Sequence, residues 1–183
     1  MTLSLGIGHE RSWNNIGGLW ADQVYAEVIG YDSLPVGAIL MGRRNIVGFN
    51  NDIGLNYAFN NKMNVSLYAR HYWQRVMYHA FSNLQADGSL SPSSYTGVDA
   101  SGNPLNNIAA NYFNIDVVYT WRFAPGSDLL FVYKNFVGHQ VAGREVDHDY
   151  GYNFQHLPDR PGSNSLSVKF LYYLDYNRAK TWF

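Results

Sequence analysis

The chain contains no cysteine, which removes disulfides, thiolate metal ligands and cysteine nucleophiles and is compatible with an oxidising envelope where that chemistry goes unused. Charged residues are scarce, at 15%, against about 25% in ordinary soluble domains. The 13 basic and 14 acidic side chains nearly cancel to a net charge of -1, and no run of Lys or Arg occurs. A surface built to hold phosphate backbones is therefore missing, and nucleic acid is not an expected partner. No apolar run approaches the ~18 residues a membrane helix needs. The opening Met1, Thr2, Leu3, Ser4, Leu5 lacks the basic and apolar regions of a secretory signal. An exported protein with this sequence is expected to be either a mature chain or a piece of something longer.

Aromatic rings are abundant: 15 Tyr, 10 Phe and 5 Trp make up 16% of 183 residues. Many rings with few charges are expected where rings stand at a membrane interface and one face of every strand meets lipid. The length suits one domain, residues 1–183, with nothing in the composition to divide it.

Period-two alternation dominates, and six segments carry it. Thr2 to Glu10 sets Leu3, Leu5 and Ile7 against Ser4, Gly6 and Gly8. Val47 to Phe59 sets Val47, Phe49, Ile53, Leu55, Tyr57 and Phe59 against Gly48, Asn50, Asp52, Gly54 and Asn56. Lys62 to Gln74, Asn114 to Phe123, Asp128 to Phe136 and Ser165 to Asp175 follow the same rule. Each is close to the ~9 to 11 residues with which a tilted strand crosses the hydrocarbon layer. The stretch from Trp20 to Gly30 reads as a possible further strand, and Val36 to Met41 either pairs with it or extends the second strand.

Connections alternate in length. Asn60-Asn61 and Ala124-Pro125-Gly126-Ser127 are tight turns. Tyr78 to Ala110 and His139 to Asn164 are long and polar or charged. The expected fold class is all-β: an antiparallel up-and-down transmembrane β-barrel with six clear strands and up to eight. Its short turns would lie in the periplasm and its long loops outside the bacterial outer membrane. Tyr57, Phe59, Trp121 and Phe123, at the short-turn end, form part of an expected periplasmic aromatic girdle. Single-chain barrels have at least eight strands, so six cannot close alone.

Two stretches, "DIGLNYAFNNKMNVSLYARHYW" with "TWRFAPGSDLLFVYKN" downstream, and the closing "NSLSVKFLYYLDY", carry a family likeness. They resemble the C-terminal barrel domain, of unknown function, of bacterial outer-membrane proteins whose N-terminal part is a carbohydrate-binding-module-like β-sandwich. The likeness runs from about Thr2 to Tyr176, and its most specific elements are "FAPGS" at Phe123 to Ser127 and "LYYLDY" at Leu171 to Tyr176. The resemblance implies a longer parent with a glycan-binding-like domain ahead of the barrel, and so favours a piece of a larger barrel. It supplies no active-site residue to carry over.

With polar faces pointing inward, turn lengths predict Asp52 opposite Ala69 and diagonal to Arg70, and Lys134 diagonal to Asp116, with Lys169 at similar height. These five form an expected charged belt, read either as mutual neutralisation or as a path for substrate. Glu145, Asp147, His148, Asp149 and His156 supply metal-ligand types without a recognised spacing, so a solvated loop is expected and no metal or cofactor is called for. His71, on the apolar face near Trp73, invites comparison with lipid hydrolases of the outer membrane, yet no local motif supplies its nucleophile and acid. Tyr95, Tyr112, Tyr150 and Tyr152 could stack on sugar rings. Expected partners are outer-membrane lipid, glycan or other envelope proteins, in the role of pore, anchor or docking platform without catalysis. Two rivals stand: a soluble lipocalin-like ligand-binding barrel and a lipid hydrolase centred on His71.

Overall fold

The computed structural model describes residues 1–19, 39–142 and 149–174, and the strands they contain form one antiparallel sheet. In chain order these are β1 (Thr2–Leu19), β2 (Ile39–Asn60), β3 (Met63–Leu84), β4 (Leu90–Pro92), β5 (Ile108–Ala124), β6 (Ser127–Ala142), helix α1 (Tyr150–Gln155) and β7 (Gly162–Leu171). The sheet order is β1-β2-β3-β5-β6-β7, with the short β4 paired to β3 beyond the end of β5. It is an up-and-down meander, all-β with seven strands.

The sheet is open, with β1 and β7 as its outer strands, so the closed barrel expected from the sequence is not formed by the described residues. The expected Trp20–Gly30 strand lies outside them. Ile39 to Met41 settle part of the other uncertainty by extending β2. The strands also run longer than expected. β2 and β3 each have 22 residues, about 75 Å at ~3.4 Å per residue. The expected loop from Tyr78 is strand as far as Leu84.

Below these extensions, alternation sorts the side chains cleanly. Leu3, Leu55, Leu67, Val117, Tyr133 and Leu166 pair in sequence across all six long strands as one apolar row. The next row toward the short turns is Tyr57, Val65, Tyr119, Phe131 and Val168. In these rows Leu3, Tyr57, Phe131, Tyr133, Leu166 and Val168 are exposed, Leu166 at 72% and Val168 at 58%, and the others are half-buried. On the opposite face the corresponding row is Gly6, Asp52, Arg70, Asn114, Phe136 and Ser163.

Keeping those rows matched requires a correction at each short turn. Asn60 pairs with Met63 around Asn61-Lys62, not around Asn60-Asn61, and the Asn60 side-chain oxygen accepts from the Lys62 N–H at 2.8 Å. A regular ladder continued from that turn would bring Val65 opposite Ala58 and put the polar residues of β2 on the apolar face. Instead the register shifts between Ala58 and Asn60, leaving Phe59 as a bulge, and Tyr57 meets Val65. The second turn repeats the device: Ala124 pairs with Ser127, Phe123 is bulged, and Trp121 meets Leu129. Gly126 there has φ +72, which fits the third position of a type II turn after Pro125. The bulges also correct two expected pairings. Asp52 opposes Arg70 directly, not Ala69, and Asp116 opposes Lys134 directly, not diagonally.

The tightly packed residues sit at the long-connection end, where segments return onto both faces. On the polar side Leu40, Ile46 and Val76 are buried, Phe81 stacks on Tyr78 at 6.1 Å, and Tyr95 from the β4–β5 connection meets Phe81 edge-on at 4.8 Å. The β3–β4 turn is held by Asp87, whose carboxylate accepts from the Ser89 hydroxyl at 2.7 Å and its N–H at 2.9 Å. Those bonds hold the carboxyl below its usual range. On the apolar side Tyr150 of α1 lies edge-on to Trp73 at 5.9 Å.

The bulge account makes a contrasting prediction. Deleting Phe59 leaves a regular two-residue hairpin in the same register, so the sheet is expected to survive. Deleting Leu55 turns Asn56 and Ala58 onto the apolar face and is expected to abolish folding. Circular dichroism and protease resistance of the two deletions check this, and equal loss in both removes the account.

Candidate functional site

The polar face carries the expected charged belt, and the register decides its membership. Asp116 and Lys134 form an ion pair at 3.7 Å with both side chains substantially exposed, a contact that contributes little stability. Arg70 sits beside Asn114 and one row from Asp116, and its guanidinium carbon lies 5.9 Å from the Tyr68 ring. The Asp52 carboxylate lies over Gly6, where any Cβ would collide with it, so the glycine gives that carboxylate its space. Lys169 pairs with Leu130, whereas Ser165 pairs with Lys134; Lys169 is thus four residues nearer the short turns, about 13 Å along the strand. Four of the five belt residues come together and Lys169 stands apart.

The girdle residues occupy the short-turn end in touching pairs. Tyr57 and Phe59 meet edge-on at 4.9 Å, and Trp121 and Phe123 at 6.0 Å. Phe123 also stacks on Phe170 at 5.3 Å and on Tyr172 at 6.3 Å, joining β7 to the cluster. Phe170 and Tyr172 were legible as apolar-face residues but not as members of this group.

The four tyrosines singled out for sugar stacking separate. Only Tyr112 stands on the polar face within the sheet, between Tyr72 at 6.4 Å and Phe136 at 6.3 Å, near-parallel to both. Gly138 makes room for this row, since a Cβ there would meet the Phe136 ring at 2.7 Å and Tyr112 at 3.1 Å. Tyr95 is engaged by Phe81, Tyr152 stacks on His156 at 4.0 Å, and Tyr150 lies on the apolar side.

Tyr150 belongs to a cluster that the sequence did not announce. Asp149 caps α1, its side chain accepting from the Tyr152 N–H at 2.8 Å. The six-residue helix then presents Tyr150, Asn153 and Phe154 to the sheet at helical spacing. Tyr150 packs on Phe49 at 4.8 Å, His71 at 5.3 Å and Trp73 at 5.9 Å, and Phe154 on His71 at 5.2 Å. His71, only 4% exposed, hydrogen-bonds through Nε2 to Asn111 Oδ1 at 2.7 Å and through Nδ1 to Tyr150 Oη at 3.2 Å. Asn111 Nδ2 donates to the Asn153 carbonyl at 3.0 Å, and Asn51 Nδ2 to Tyr150 Oη at 2.8 Å. This arrangement assigns the proton to His71 Nε2, because Asn111 Oδ1 can only accept, and leaves Nδ1 to receive the Tyr150 hydroxyl hydrogen.

None of the groups bonded to His71 is a serine or a carboxylate, so a hydrolase's nucleophile and acid are not assembled around it in the described residues. The cluster instead fastens α1 to the sheet. The metal-type residues do not assemble either: among the described residues no group of three or more potential ligands occurs. Asp149 is the helix cap, His156 Nδ1 bonds the Tyr152 carbonyl at 2.8 Å, and Glu145, Asp147 and His148 lie outside the described residues.

Fold and faces together define an antiparallel meander protein with amphipathic strands, short turns at one end and folded connections at the other. The family comparison makes that specific: the model of the family described as Domain of unknown function (DUF5916) matches residues 20–183, and the chain belongs to that family. No curated protein and no solved structure matches it.

Replacing Asn111 by Leu leaves the His71 Nε2–H and the Asn153 carbonyl without partners and is expected to destabilise the α1 attachment by about 1 to 3 kcal/mol. Tyr150→Phe removes one hydroxyl and is expected to cost less. The readout is faster proteolysis between residues 149 and 161; unchanged cleavage in Asn111→Leu would show that α1 is held by ring packing alone.

Proposed function

We propose that this chain is part of an integral outer-membrane β-barrel that serves as pore, anchor or docking platform, in glycan-related uptake or surface attachment. The observation that carries the reading is the uncovered apolar face. Six strands present aligned Leu, Val, Tyr and Phe side chains with no layer of the described residues packed on them below α1, bounded toward the short turns by the Tyr57, Phe59, Trp121, Phe123, Phe170 and Tyr172 rings. Water penalises such a surface by about 25 cal/mol per Å², whereas a hydrocarbon layer fits it. The alternation of short turns with long connections supports the same orientation. The glycan element rests on the resemblance to proteins with an N-terminal carbohydrate-binding-module-like sandwich, and the Tyr72, Tyr112, Phe136 row beside Arg70 and Asn114 is where a sugar could stack. Other envelope proteins are alternative partners for the folded connections.

A soluble lipocalin-like barrel would instead enclose the apolar face. The two readings separate on adjacent β7 residues that point oppositely, in protein expressed from its complete reading frame. The wild type is expected in the outer-membrane fraction with heat-modifiable gel mobility. Val168→Arg places a cation against hydrocarbon at about 2 to 4 kcal/mol and is expected to lose most of the folded membrane form, while Ser167→Arg keeps it. Wild-type protein recovered in the soluble fraction would sink the membrane reading.

The belt gives a second test. Reversing charge with Asp52→Lys and Asp116→Lys is expected to shift the ion preference of reconstituted channels toward anions in planar bilayers. Unchanged selectivity removes passage along this face and leaves the belt a structural role.

A further inference from the structure

A cavity of about 600 Å³ opens on the apolar face beside α1, between the tops of β5, β6 and β7 and the turn that follows the helix. Its floor is Phe113 and Val137, its wall Phe154, Leu157 and Pro158, and its polar rim Asn135, Gln155, Arg160 and Asn164. Among the described residues Arg160 is the only ionisable one that lines it, and it makes no ion pair with any of them. Its neighbour Asp159 is exposed and does not line the cavity. The rim is therefore suited to an anion, with a guanidinium fork and side-chain amides arranged around one opening.

What lies below the cavity determines the rest of the ligand. Asn135 pairs with Asn164, and the next row toward the short turns is Tyr133 with Leu166, followed by Phe131 with Val168. All four of those apolar side chains are exposed, so an uninterrupted apolar track runs from the cavity mouth down the sheet. The Tyr133 hydroxyl and Asn135 Nδ2 both donate to Asn164 Oδ1, at 2.7 and 2.9 Å. That fixes the Asn164 carboxamide at the junction of polar rim and apolar track.

We propose that this cavity is a lipid-binding site that takes the phosphate-bearing headgroup of an anionic amphiphile, with the acyl chains lying along Tyr133, Leu166, Phe131 and Val168. Arg160 engages the phosphate, Asn135 and Asn164 bracket the glycerol or sugar end of the headgroup, and Phe113 and Val137 close the floor. The inference rests on the membrane reading above, because the track continues the face assigned there to lipid. It adds a defined chemistry at one place on that face.

The test uses protein from the complete reading frame, purified in neutral maltoside detergent, with phosphatidic acid and phosphatidylcholine of equal chain length as probes and native mass spectrometry as readout. The wild type is expected to retain phosphatidic acid in preference to phosphatidylcholine. Arg160→Gln is expected to lower that retention about tenfold, the loss of one charge-assisted hydrogen bond. Lys169→Gln, a cation on the opposite face, leaves it unchanged, and Arg160→Lys keeps part of it. Equal retention of both lipids by the wild type, or equal losses in Arg160→Gln and Lys169→Gln, overturns the site. Flotation with phosphatidylcholine vesicles, with and without phosphatidic acid, keeps the two claims apart: a wild type that floats equally with both loses only the site, and one that floats with neither loses the membrane reading as well.

Discussion

Register parity is the constraint from which the rest of the sheet follows. Apolar side chains recur every second residue along each long strand, so neighbouring strands can share an apolar face only if like positions stand opposite one another. A two-residue turn delivers the wrong parity at both hairpins, and one bulged aromatic, Phe59 in the first and Phe123 in the second, restores it. The straight rows from Leu3 to Leu166 and from Gly6 to Ser163 depend on that restoration. So does the direct opposition of Asp116 to Lys134. The bulged rings do double service, because both fall within the aromatic cluster at the short-turn end.

At the other end a different principle operates. There the connections fold back, and polar groups become buried in bonded sets: Asn51, Tyr150, His71 and Asn111 form a chain of hydrogen bonds that ends on the Asn153 carbonyl. A buried network of this kind holds its geometry well when complete and is costly when broken. It is what allows a helix of only six residues, too short to persist alone, to keep a fixed place on the sheet. The cavity beside it takes its wall from that helix and the turn that follows.

Much of this was legible in the chain. The six strands and the two short turns follow from alternation and from Asn, Pro and Gly, because those segments have one apolar and one polar face. The upward extension of β2 was legible only as one of two alternatives for Val36 to Met41, and that of β3 not at all, since near Arg43, Arg44, Tyr78 and His79 the register shifts and returning segments cover both faces, which erases the period-two signal. Pairings across the turns were misjudged by one residue at Asp52 and two at Lys134 because a bulge leaves no compositional mark at an ordinary Phe. Helix α1 was hidden in a charged stretch. The available signals were Asp149 as a cap and the spacing of Tyr150, Asn153 and Phe154, too short a pattern to stand out. The partners of His71 come from β5 and α1, 40 and 79 residues further along the chain, and could be assembled only by the fold.

The two open margins of the sheet carry one more implication. Among the described residues β1 and β7 each present a row of backbone amides and carbonyls with no ladder on the outer side, and in hydrocarbon every such unpaired group costs several kcal/mol. In the membrane reading proposed above, these margins need partner strands, from the rest of the chain or from beyond it, before or while the sheet enters the bilayer. Ring closure would then be a step in biogenesis that governs timing, and the margins, more than the loops, would be where an assembly factor takes hold of the nascent protein.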